Sequence, residues 1–85
     1  MNRQEVAQKI INIMYKEGLI KSYEINLDVS LVNDLGVNSI SIIQLITAIE
    51  EVFNFEFDSS ELDIEIYKSI NTIIDTVMKH LENAS

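Results

Sequence analysis

Residues Asn38 to Phe53 read NSISIIQLITAIEEVF, and this stretch decides how the rest of the chain is organised. At about 100° per residue, Ile42, Leu45, Ile46, Ile49, Val52 and Phe53 fall in one broad apolar sector, the pattern of a helix with a buried face. Ile40, Ile43 and Thr47 fall on the opposite side, bordered by Gln44, Glu50 and Glu51. A helix that only needed to fold would show one apolar stripe. This one shows two, and it begins at Asn38 or Ser39, directly behind the turn Asp34-Leu35-Gly36-Val37.

The same period extends in both directions. Val6, Ile10, Ile13 and Met14 share one face of a first helix over about 3–17, with Asn2 as N-cap and Glu5 placed for a capping box. Gly18 follows where a left-handed cap belongs. Ile70, Ile73, Ile74, Val77, Met78 and Leu81 recur at helical spacing and predict a last helix over about 70–82 behind Ser69 as N-cap. Between the first two helices Leu27, Val29, Leu31 and Leu35 fall at near-alternate positions. A lone strand would have nothing to pair with, so they predict a long loop that pins its leucines onto the core. Phe53, Phe55 and Phe57 are read the same way, as a loop leading to a short helix over about 61–66 capped by Ser59 or Ser60. The expected fold is all-α: one domain of three main helices and one short helix.

The bulk properties narrow the function. Eighty-five residues suffice for one core, and without cysteine there is neither a disulfide nor a CxxC metal or redox site. No signal-like or membrane-spanning run is visible, and a cytoplasmic monomer is expected. The 14 acids and 6 bases are unevenly spread: residues 22–67 hold ten Asp and Glu and no Lys or Arg. Such a field opposes nucleic acid and suits a basic protein partner, or simply keeps the surface soluble.

Ser39 is the residue that can carry chemistry. A serine opening a helix behind a glycine-containing turn exposes its hydroxyl at the positive end of the helix dipole, where free N–H groups accommodate a phosphate. The alternative is a plain capping serine. Catalysis is not expected, because the sole histidine, His80, lies near the end of the last helix, where it reads as a solvated residue facing the C-terminal carbonyls. Glu50 and Glu51 diverge by about 100° and form no carboxylate dyad. Asp58, Glu61, Asp63 and Glu65 do not follow the pattern of a calcium loop and read as a solvated acidic rim.

The run Asp34-Leu35-Gly36-Val37-Asn38-Ser39-Ile40 resembles the attachment motif of acyl carrier proteins, in which Asp-Ser-Leu follows a Leu-Gly turn. The similarity continues through LITAIEEVFNFEF and, more weakly, to Lys68-Ser69-Ile70 and the last helix. It implies a small acyl-carrier-like bundle whose Ser39 receives 4'-phosphopantetheine from coenzyme A. A separate phosphopantetheinyl transferase using Mg2+ makes that attachment. The arm's thiol would then hold an acyl or aminoacyl group as a thioester for acyl-loading and acyl-processing enzymes with basic docking surfaces. The carrier itself would be no enzyme, and the absence of cysteine would follow from an imported thiol.

The resemblance also gives the second stripe a use. Asp34, Asn38, Ile40, Ile43, Thr47, Glu50 and Glu51 become candidate docking residues, an apolar patch edged by carboxylates. Asn38 stands where the family has Asp, and Ser41 and Gln44 stand at positions often acidic in fatty-acid carriers, which argues against the general fatty-acid pathway and for a fatty-acid-like, polyketide or other dedicated biosynthetic pathway. The competing readings are a peptidyl or aminoacyl carrier and an unmodified acidic adaptor. The aliphatic interior is compatible both with sheltering an acyl chain and with an ordinary filled core.

Overall fold

The computed structural model describes residues 1–62 and 67–83. Three helices form the frame: α1 over Arg3–Lys16, α2 over Ser39–Phe53 and α3 over Ile70–Asn83. There is no strand among the described residues, so the architecture is an all-α bundle with a long loop between α1 and α2.

Each helix begins and ends for a reason visible in its flanking residues. Asn2 caps α1, its side chain accepting the Glu5 amide while Glu5 reaches back to the Asn2 amide. At the other end Leu19 donates to the Met14 carbonyl and Gly18 to that of Tyr15, a Schellman turn that requires the positive φ of 77° at Gly18. Ser69 opens α3, its hydroxyl accepting the Thr72 amide at 3.1 Å.

The apolar stripes meet in one core. Val6, Ile10 and Met14 of α1, Leu45 and Ile49 of α2, and Ile70, Ile74 and Val77 of α3 are essentially inaccessible. The connection between α1 and α2 contributes Ile20, Leu31 and Val37 as buried residues, and Leu27, Val29 and Leu35 pack against the core. The loop leucines therefore act as expected, and α1 packs on both other helices. One polar chain knits the loop to two helix starts: Arg3 bonds Asp75 and Asn71, Asn71 donates to Asp28, and the Asn71 amide donates to the Leu27 carbonyl.

Two expectations, those for Val52 and His80, are corrected. Val52 is 49% exposed, because it sits at the edge of the apolar sector where α1 and α2 diverge into a cleft. A 3-10 turn over Ser59–Glu61 is led by Asp58, whose amide is held by the Glu61 carboxylate at 2.8 Å; most of the short helix expected over about 61–66 lies outside the described residues. His80 is not a solvated end residue. Its Nε2 lies 2.6 Å from Glu61 Oε1, and its ring stacks on Phe55 at 4.4 Å with Phe57 edge-on.

Candidate functional site

The start of α2 is built by the turn before it. Val37 donates to the Leu31 carbonyl and buries its side chain, while Gly36 reverses the chain at φ 65°. Asn38 then takes an extended conformation and its Oδ1 accepts the Ser41 amide at 2.9 Å. Ser39 is consequently the first helical residue rather than the cap.

That one-residue distinction decides what Ser39 is free to do. With capping performed by Asn38, the Ser39 side chain is exposed and makes no hydrogen bond with any described residue. The amides of Ser39 and Ile40 have no acceptor among the described residues either, as expected for the first N–H groups of a helix. An uncommitted hydroxyl beside free N–H groups at a positive helix end fits a phosphodiester. No three His, Asp or Glu side chains among the described residues converge to hold a metal.

The first turn of α2 is uncharged and, with the turn after it, presents apolar side chains to solvent. Ile40 is 70% and Ile43 63% exposed, and the first turn of α2 holds no acid. Thr47 is exposed, its hydroxyl donating to the Ile43 carbonyl at 3.0 Å. Asp34 is exposed but its carboxylate accepts the Ser30 amide at 2.7 Å, closing the turn.

Glu50 departs from the expectation of a free docking carboxylate. It is half-buried and its Oε2 accepts the Phe57 amide at 2.9 Å, so it holds the connection that follows α2. Glu51, 100° further round, is exposed and makes no ion pair or side-chain hydrogen bond among the described residues.

Two arrangements escaped the sequence. Burial pushes the Glu61 carboxyl up, but the Asp58 amide and the His80 ring, with the charge of Lys79, outweigh it and leave Glu61 below its ordinary value of 4.5. Tyr15 and Tyr23 stack with centroids 4.4 Å apart. The Gly18 reversal between them was the one signal that could have suggested this pairing.

The bundle leaves the Ser39 hydroxyl unengaged beside the exposed Ile40 and Ile43, and comparison with known proteins supplies the class to which such a scaffold belongs. The model of the family described as "Phosphopantetheine attachment site" matches residues 9–77. The chain is 30% identical over 81 residues to an acyl carrier protein of Coprothermobacter proteolyticus, covering 95% of this chain and 96% of that one. It is 31% identical to acyl carrier proteins of Guillardia theta, covering 86% of this chain and 93% of the relative, and of Prochlorococcus marinus, covering 91% and 90%. The chain belongs to the acyl carrier protein family, and its cofactor is covalently attached 4'-phosphopantetheine. No helix among the described residues is long and apolar enough to cross a membrane.

Proposed function

We propose that Ser39 is the attachment residue and that the chain carries acyl groups between enzymes of a dedicated biosynthetic pathway. The observation that supports this best is the division of labour at the start of α2: Asn38 caps the helix and leaves the neighbouring hydroxyl exposed and unbonded. The attached arm supplies a thiol that forms the thioester; the chain's own residues present it and recognise the enzymes. Carriers of this family are served by phosphopantetheinyl transferases and acyl-processing enzymes.

Docking uses Ile40 and Ile43 as apolar anchors and Glu51 as the free carboxylate, with Glu50 acting through the fold. The scarcity of uncommitted acids near Ser39 favours partners with an apolar rather than strongly basic rim. That is also the reason to place the chain outside general fatty-acid synthesis.

Incubation with coenzyme A, Mg2+ and a broad-specificity transferase should raise the intact mass by one arm. Ser39→Ala should keep its fold and gain nothing. A wild type that stays unmodified, or a variant that still gains mass, overturns the assignment. Preferential charging of the modified protein by an aminoacyl-loading enzyme would turn the cargo from acyl to aminoacyl.

A further inference from the structure

We propose that Asn38 grips the phosphate of the attached arm, its side-chain amide being divided between helix and cofactor: Oδ1 serves the Ser41 amide and Nδ2 donates to the phosphodiester. The inference rests on Ser39 being the attachment residue, and adds to it a second residue that fixes how the arm leaves the protein.

The orientation of Asn38 follows from its cap. A backbone N–H needs an acceptor, and of the two polar atoms of a carboxamide only the oxygen accepts. Oδ1 is therefore the atom at 2.9 Å from the Ser41 nitrogen, and the Nδ2 end is turned away from that contact. Asn38 is exposed, and its Nδ2 donates to no acceptor among the described residues. An uncommitted donor thus stands on the residue directly before Ser39. Adjacent Cα atoms are about 3.8 Å apart, so a phosphate on the Ser39 oxygen lies within the span of the two side chains.

Charge leaves the task to neutral donors. Residues 22–67 hold no Lys or Arg, so no base neighbours Ser39 along the chain. The first turn of α2 has no acid to compete for Nδ2, and the carboxylate of Asp34 is occupied with the Ser30 amide. A hydrogen bond to an ionised acceptor is about twice as strong as a neutral one, which favours the phosphate over water as the partner of Nδ2. Asn38→Asp would cap the helix as well but turn a second anionic oxygen toward the phosphate. A neutral carboxamide is the side chain that can both cap and grip. The arm then leaves α2 in a direction set by this chain, before any partner is engaged.

The test uses the full chain, isotope-labelled for NMR, before and after treatment with coenzyme A, Mg2+ and a broad-specificity transferase, with the intact mass read first. On modification the Asn38 side-chain N–H resonances should move downfield, and the unfolding equilibrium constant in urea should fall about five-fold. Asn38→Ser, which keeps a cap but has no amide nitrogen, should lose most of that gain, and Asn38→Asp all of it. Comparing each protein with its own unmodified form removes the cap from the difference. Lys21, which lines a groove with Asp34 and Leu35, is the control base, and Lys21→Ala should keep the full gain. Asn38 resonances that stay in place while Ser39 is modified, an equal gain in Asn38→Ser, or loss of the gain in Lys21→Ala overturns the proposal. A wild type that gains no mass fails at the earlier step and removes the Ser39 assignment, and this inference with it.

Discussion

The carboxylate of Glu50 accepts the backbone N–H of Phe57 at 2.9 Å, so one of two adjacent glutamates on α2 is turned to the loop and the other to solvent. Glu50→Ala leaves that half-buried amide unpaired and should cost about 1–2 kcal/mol in urea unfolding. Glu51→Ala should leave the unfolding midpoint in place and instead raise the KM of a processing enzyme. Equal destabilisation by both would contradict the division.

Asn38→Ala removes the side chain that accepts the Ser41 amide. A loss of about 1 kcal/mol is expected, with Asn38→Asp restoring it or improving on it through the helix dipole. Because Ser39 takes no part in that cap, Ser39→Ala should unfold within about 0.5 kcal/mol of wild type, as surface substitutions do.

At Gly36 the backbone has φ 65° and an added Cβ would meet nothing within 4 Å. Gly36→Ala therefore tests backbone conformation alone, with an expected cost of about 1–2 kcal/mol. Gly36→Asn should recover part of it, since Asn tolerates the left-handed region. Thermal melts of the three proteins decide this.

Ile43→Ala removes an exposed aliphatic group next to Ser39 and should reduce kcat/KM for arm attachment roughly ten-fold with an unchanged melting temperature. Adding salt should change the attachment rate far less than it would for a carrier docking through acids.

Glu61 titrates below its ordinary value in the fold. A depressed carboxyl contributes stability that is fully present above pH 4.5 and is lost as pH falls through the lowered value. Glu61→Gln should flatten that acid limb of the stability curve and leave a smaller difference between neutral and acidic pH. Tyr67 is raised by burial, so its contribution holds below pH 10.0 and disappears in stronger alkali.

What could be read from the sequence followed from local rules. The faces of α1 and α3, the caps at Asn2 and Ser69, and the reversal at Gly18 depend on residues within a turn of one another. Ser39 was legible as the residue of interest, but whether it or Asn38 capped α2 was open, because both residue types cap well. The Glu61–His80 pair spans nineteen positions and exists only because the loop after α2 folds back on α3. Glu50 and Glu51 look alike as neighbours, and only the path of Phe57 separates them. Val52 lay at the border of its stripe, where periodicity does not tell the edge of a core from the floor of a cleft.

Because the amide-side cap of α2 belongs to Asn38, esterifying the neighbouring oxygen breaks no hydrogen bond that holds the helix, and a phosphate placed there can only add to its N-terminal end. Forms that differ only at the far end of the arm then start α2 in the same way, and an enzyme sorting them at this spot reads the appended group itself.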